Sequence, residues 1–165
     1  MMTLDEMNEI LEFDPSVNHF RWKINSKHRK NMHEIAGHHG TYGYWIITID
    51  YKNYHEHQLL WLYHYGEWPI HGIDHKNRIK HDNRIENLRL ATTQQNSFNK
   101  GARKGSKTGE KNIYVECGKF RVRMELSGKT YSLGFFTDIQ EAITTRDKWC
   151  REHHGEFFFK ESELA

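Results

Sequence analysis

Apolar positions in the first 65 residues repeat with helical spacing at first, then with strand spacing, and then with helical spacing again. Residues 4–11 repeat apolar side chains every three or four positions, which predicts a helix that stops at Pro15. The apolar run 44–49 predicts a strand, and residues 51–54 predict its return in a hairpin. The spacing over 55–65 predicts a second helix.

A strand, a loop, a short strand and a helix are predicted within residues 72–99. The strand opens the segment, the polar residues 76–84 form the loop, and the apolar positions of 85–90 mark the short strand. Thr92 or Thr93 can cap the helix that follows. This order brings the polar side chains at the two ends of the segment within reach of one another.

Three more strands and a last helix are predicted after residue 111. The strands cover 112–116, 120–126 and 130–136, and the tight turns between them contain glycine. Thr137 or Asp138 caps the helix, which carries an apolar stripe. The fold class is therefore α+β, built from small antiparallel sheets and short helices.

Strict alternation along the middle strand, 120–126, separates two faces of this sheet. Phe120, Val122, Met124 and Leu126 form the face toward the helix, and Arg121, Arg123 and Glu125 form the open face. A three-stranded sheet with arginines on its open face can enter a major groove, where Arg reads guanine edges. The other interpretation is an ordinary charged sheet surface.

The segment 100–111, KGARKGSKTGEK, is rich in Gly and Lys and nearly free of apolar residues. It predicts a basic linker, which divides the chain into domains at 1–99 and 112–165. The linker is either a solvated spacer or a basic strap along DNA phosphates, and the strap is favoured if the segments on both sides of it bind nucleic acid.

Composition changes this picture mainly through the distribution of charge. The net charge is only +2, but residues 1–14 hold five acids and no base, whereas residues 100–133 hold nine Lys or Arg against three Glu.

Two cysteines without a CxxC pair exclude a four-cysteine zinc site. No apolar run approaches the ~20 residues that span a bilayer, and no signal-peptide pattern precedes the first helix. We expect a soluble, cytoplasmic protein with no membrane partner.

The residues with candidate chemistry are the neighbours Asp74 and His75 and the amides Asn87 and Asn96. Carboxylate and amide oxygens suit Mg²⁺ or a similar cation, and a neutral imidazole beside the ion can take a proton from water. Such a set can hydrolyse a phosphodiester. An Asp-His pair taken alone more often has a surface or capping role.

The same segment resembles the HNH endonuclease motif. The matching residues are Asp74, His75, Asp82, Asn83, Arg84, Asn87, Leu88, Arg89, Ala91, Thr92 and Asn96. The closest version is that of phage and intron-associated homing endonucleases. The resemblance implies a ββα-metal fold with His75 as general base, Asp74 and Asn96 as ligands of Mg²⁺ or Mn²⁺, and Asn87 as the brace of the His75 loop.

One position departs from that motif. Arg78 stands where the motif usually has Gly, which adopts positive φ at little cost in a tight turn. We therefore expect a reshaped turn after Asn77 with the four proposed site residues retained.

The C-terminal segment resembles the AP2 DNA-binding domain. The matching pieces are GKFRVR at 118–123, GKTYSLGFF at 128–136 and HGEF at 154–157, within residues 109–160. The resemblance implies that the sheet docks in the major groove of double-stranded DNA. The predicted DNA-binding residues are Lys100, Arg103, Lys104, Lys107 and Lys111 in the linker and Lys119, Arg121, Arg123 and Lys129 in the sheet.

An HNH motif followed by an AP2 domain implies a site-specific, homing-type DNA endonuclease; if phage-encoded, it acts in the host cytoplasm. One alternative is a DNA-binding regulator that keeps an inactive HNH scaffold. Another is a non-specific degradative nuclease, which needs no separate readout domain. The sequence leaves open monomer or dimer, nick or double-strand break, the target sequence, and a free-standing or intron-encoded gene.

Overall fold

The computed structural model describes residues 1–23 and 32–158, and the chain divides into two compact units, 1–91 and 92–165. The division falls after the last strand of the predicted ββα segment. The predicted domain boundaries at 99 and 112 stay predictions. The mixed α+β class with small antiparallel sheets is confirmed.

The described residues of the first unit, 1–23 and 32–91, form two α-helices and seven strands. In chain order they are α1 (Leu4–Ile10), β1 (Leu11–Asp14), β2 (His19–Trp22), β3 (His38–His39), β4 (Trp45–Ile49), β5 (Lys52–His55), α2 (Glu56–Tyr65), β6 (Gly72–His75) and β7 (Leu88–Ala91). The strands form three antiparallel sheets, with orders β1-β2, β3-β4-β5 and β6-β7. The predicted hairpin is β4-β5, and the predicted second helix is α2.

The first helix is shorter than its apolar spacing predicted. Thr3 and Glu6 form a reciprocal capping box at its N-terminus, and α1 ends at Ile10. Leu11 then begins β1 and pairs with Trp22 of β2. Leu11 is buried in a strand as it would be in a helix, so the apolar pattern could not separate the two outcomes.

A hydrophobic core joins α1 and α2 to the β1-β2 sheet and to β4 and β5 of the second sheet. Its largest fully buried side chains include Met7, Leu11, Phe20, Ile47 and Leu59. The helix α2 ends at Gly66, which adopts the left-handed conformation that glycine reaches without strain. The core thus fixes α2 close to the polar residues described below.

The second unit contains α3 (Thr93–Phe98), β8 (Ile113–Glu116), β9 (Lys119–Leu126), β10 (Lys129–Phe136) and α4 (Ile139–His154). Its antiparallel sheet has the order β10-β9-β8, and α4 covers one face. Val122 and Met124 are buried there with Ala142 and Trp149. The predicted three strands and helix are therefore present, and their assignment to the AP2 family stays a prediction.

The end of the basic segment 100–111 is hydrogen-bonded rather than free. The Thr108 hydroxyl donates to the Ile113 carbonyl at 2.9 Å, and Arg146 of α4 donates to the Lys111 carbonyl at 2.8 Å and to the Glu110 carboxylate at 2.9 Å. The Lys111 ammonium donates to the last carbonyls of α3, which are orphan acceptors at a helix C-terminus.

The helix α3 is also attached through its last aromatic residue. Phe98 stacks on the buried ring of His154 with ring centroids 3.6 Å apart. Burial lowers the pKa of His154 to about 4, so the stacked ring is neutral at pH 7.

Within the residues described, none of the helices has the length and apolar character that crossing a membrane requires.

Candidate active site

The strands β6 and β7 form the framework of the site. They pair antiparallel with Asp74 opposite Arg89 and His75 opposite Leu88. Adjacent residues of a strand point to opposite faces, and both Asp74 and His75 are about 95% buried. A carboxylate and an imidazole therefore lie side by side in the chain, each with its own surroundings.

The Asp74 carboxylate forms an ion pair with Arg89 on the neighbouring strand β7. Arg89 donates to Asp74 Oδ2 from Nε at 2.9 Å and from Nη2 at 2.7 Å. Buried ion pairs add little net stability because desolvation offsets their attraction. The consequence that matters here is orientation, since a cross-strand guanidinium fixes the plane of the carboxylate.

The imidazole of His75 is held by a buried amide. Its Nε2 lies 3.0 Å from Asn83 Oδ1. Burial lowers the pKa of His75 below its usual value, and the Asn83 hydrogen bond and the Asp74 charge oppose this shift without cancelling it. His75 is therefore neutral at pH 7 and able to accept a proton.

Asn87, in a 3₁₀ turn (Ile85–Asn87) just before β7, bridges the loop that follows His75. Its Oδ1 accepts the Asn77 backbone N–H at 3.0 Å. Its Nδ2 donates to Asn77 Oδ1 at 3.0 Å and to the Asp82 carbonyl at 2.7 Å. The Asn87 side chain thus holds both ends of the 77–82 loop next to the start of β7.

The turn after Asn77 keeps the conformation that glycine would favour. Arg78 has φ +65°, in the left-handed region, and its backbone N–H donates to the His75 carbonyl at 2.9 Å. Arg78 thus adopts the positive φ that glycine reaches more easily, and the expectation of a turn reshaped relative to the motif stays a prediction. Asn87 and the Asn77–Asp82 hydrogen bond of 2.6 Å hold the loop in this conformation although a non-glycine residue is strained in it.

His57 packs against the edge of the site. Its ring centroid lies 5.1 Å from that of His75 and 5.4 Å from that of Tyr44. Burial lowers the pKa of His57 to about 3, and the neighbouring His75 and His55 add to this. Across residues 1–23 and 32–158, no three His, Cys, Asp or Glu side chains form a group that could hold a metal ion.

Sequence reasoning missed the hydrogen bonds that Asn83 and Glu56 form beside His75, where both side chains are completely buried. Asn83 Nδ2 donates to Glu56 Oε2 at 2.8 Å, and Glu56 also accepts the Phe20 backbone N–H. The motif marked Asn83 only as a matching position. An acid in the first turn of α2 resembles an ordinary stabiliser of the helix dipole, so no signal distinguished Glu56.

The structure brings together three of the four proposed site residues, Asp74, His75 and Asn87, in the first unit. Asn96 is half-buried in α3, which belongs to the second unit and is capped by Thr92. The ligand role of Asn96 stays a prediction.

The predicted DNA-binding residues all belong to the second unit. Arg121 forms an ion pair with Glu116 at 2.9 Å and lies 5.4 Å from the ring of Phe135. Arg123 lies 5.9 Å from the ring of Tyr114 on the same open face. Lys111, by contrast, is bound to the carbonyls of α3.

Residues 54–98 match the family model described as HNH endonuclease. The comparisons with curated proteins and with solved structures gave no match. The matched range contains α2, β6, the loop, β7 and α3, so this part of the chain is an HNH endonuclease domain. Such a domain implies a ββα-metal core, a DNA substrate and a nuclease that hydrolyses phosphodiester bonds. HNH nucleases typically use a divalent metal.

The strain at position 78 predicts the result of a pair of substitutions. The free energy of unfolding of Arg78→Gly should be about 1 kcal/mol higher than that of Arg78→Ala. Both variants lack the arginine side chain, but only glycine adopts positive φ without strain. Denaturant unfolding of the two variants measures the difference. Equal stability would show that the 77–82 turn is not strained at this position.

Proposed function

We propose, starting from the HNH endonuclease domain in residues 54–98, that this protein is a site-specific DNA endonuclease of the homing type. The observation that carries the proposal is the buried, neutral His75 beside the oriented carboxylate of Asp74. A neutral imidazole at pH 7 is what a general base needs, and a fixed carboxylate is what a metal site needs.

His75 would take the proton from the water that attacks the scissile phosphate. The water oxygen forms the new bond to phosphorus, the bond to the 3′ oxygen breaks, and that oxygen takes a proton from solvent water. The expected products are 5′-phosphate and 3′-hydroxyl ends. Asn87 would act on this step indirectly, because it holds the loop after His75 and so keeps the imidazole in place.

Asp74 and Asn96 would hold Mg²⁺ or Mn²⁺. Both offer the hard oxygen donors that these ions prefer, and the paired Asp74 carboxylate is already oriented by Arg89. When bound, the ion supplies positive charge that stabilises the phosphate as charge develops on the leaving oxygen. Arg89 contributes a further fixed positive charge next to Asp74.

The second unit would choose and hold the target. Its open sheet face carries Arg121 and Arg123 near aromatic rings, an arrangement that suits AP2-like docking in a major groove. Exposed basic side chains would bind phosphates without sequence preference. They are Lys100, Arg103, Lys104, Lys107, Lys119 and Lys129. Lys111 would serve the unit chiefly by capping α3.

The assignment of His75 as general base predicts the outcome of a cleavage assay on supercoiled plasmid and phage genomic DNA with Mg²⁺. His75→Ala should lower the rate by about 10²- to 10⁴-fold, the usual contribution of a general base. His71→Ala, which changes an exposed histidine four positions earlier, should cut at the wild-type rate. Binding without cutting by all three proteins, in Mg²⁺ and in Mn²⁺, would favour the inactive-scaffold regulator.

The proposal that the sheet reads bases and the basic segment binds phosphates predicts two different binding defects. Arg123→Ala should weaken binding to a fragment that contains a cut site by about 1–3 kcal/mol and leave binding to a scrambled fragment nearly unchanged. Lys104→Ala should weaken binding to both fragments equally and reduce the salt slope by about one. Titrations at several salt concentrations measure both. Identical defects in the two variants would contradict base readout by the sheet.

A further inference from the structure

We infer that Glu56 and Asn83 form a positioning pair that fixes the tautomer of His75, so that Nδ1 is the atom that accepts the proton from water. The inference rests on the proposed role of His75 as general base and deepens it. Neither residue touches the reacting atoms in this account. Both would act through the imidazole.

The three side chains form one buried line of hydrogen bonds. Glu56 Oε2 accepts from Asn83 Nδ2 at 2.8 Å, and Asn83 Oδ1 lies 3.0 Å from His75 Nε2. Glu56 and Asn83 are completely buried, and His75 is nearly so. Burial excludes competing water and makes each of these contacts costly to leave unmade.

The outer end of the line fixes the carboxylate of Glu56. Its Oε1 accepts the Phe20 backbone N–H at 3.2 Å, and the His19 Nδ1 lies 2.9 Å from Oε2. Phe20 is in β2, whose backbone is paired with β1, so this anchor belongs to a sheet rather than to a mobile side chain. Glu56 itself begins α2, which the hydrophobic core holds in place.

The anchored carboxylate determines which way the Asn83 amide points. A carboxylate accepts hydrogen bonds and has none to donate, so the NH₂ group of Asn83 must face Glu56. The reversed amide would place its oxygen against the carboxylate oxygens, which is repulsive in a buried site. The Asn83 carbonyl oxygen therefore faces His75.

The direction of the amide then determines the proton on the ring. Because Asn83 Oδ1 can only accept, His75 Nε2 must donate, and it carries the proton in the neutral ring. The lone pair is then on Nδ1. In the reaction a water O–H bond breaks and an N–H bond forms at Nδ1, while the Nε2–H bond to Asn83 is kept. The Glu56 carboxylate behind the amide favours the imidazolium that results.

The tautomer can be measured without DNA or metal. Two-bond ¹H–¹⁵N spectra of the full chain with labelled histidine distinguish the protonated ring nitrogen, and the spectrum of His75→Gln identifies the His75 signals by their loss. The wild type should show Nε2–H. A wild-type His75 with the proton on Nδ1 would overturn the inference at once, whether or not the protein cuts DNA.

Substitution of Asn83 tests the cause. Asn83→Leu keeps a side chain of similar size and removes both hydrogen bonds. It should abolish the preference for the Nε2–H tautomer and lower kcat about 10- to 100-fold, with KM within about twofold of the wild type. The matched control is Asn53→Leu, which removes an exposed amide bonded to Thr48 and should change neither quantity. Retention of the wild-type tautomer in the Asn83→Leu protein would contradict the proposed cause.

Glu56→Gln keeps the test decisive if Asn83→Leu does not fold. Glutamine retains the shape and an acceptor for Phe20 but also offers an NH₂ group, which allows the Asn83 amide to turn. We expect a mixture of His75 tautomers and an intermediate kcat. A pure Nε2–H tautomer in this variant would show that Glu56 does not orient Asn83. If the wild type shows the Nε2–H tautomer but does not cleave DNA, the proposed function and the proton transfer to Nδ1 are overturned, and only the control of the tautomer by Glu56 and Asn83 is supported.

Discussion

Antiparallel pairing of β6 with β7 is the constraint on which the site depends. The pairing puts Asp74 opposite Arg89 and His75 opposite Leu88, and the alternation of strand side chains sends the two candidate groups into different surroundings. Asp74 meets a guanidinium across the ribbon, whereas His75 meets the Asn83 amide. A slip of one residue would exchange the two environments and leave a carboxylate against Asn83.

The loop between these strands contributes through side-chain amides rather than through apolar packing. Asn87 satisfies the Asn77 backbone and the Asp82 carbonyl, and Asn83 satisfies Glu56. A buried polar network is rigid when every member has a partner and costly when one is removed. The same rigidity explains why the loop can hold Arg78 at a positive φ, in a conformation that its own backbone preference opposes.

Sequence patterns predicted the elements well and the buried contacts poorly. Alternation along β9 separates Val122 and Met124 from Arg121 and Arg123, because a half-buried strand repeats every two residues. The spacing at Leu11 was compatible with either helix or strand, and pairing with Trp22 decided it. Glu56 and Lys111 show what composition cannot reveal. A charged side chain looks solvent-exposed in sequence until its partners, here Asn83 and the α3 carbonyls, are known.

The central claim is that the imidazole of His75 removes the proton from water, and chemical rescue tests it most directly. His75→Gly leaves a space for free imidazole next to Asp74. The account predicts that added imidazole restores DNA cleavage by His75→Gly in proportion to its concentration, and does not restore cleavage by Asn87→Ala, which keeps its own imidazole but loosens the loop. Cleavage by His75→Gly at the wild-type rate without imidazole would contradict the claim.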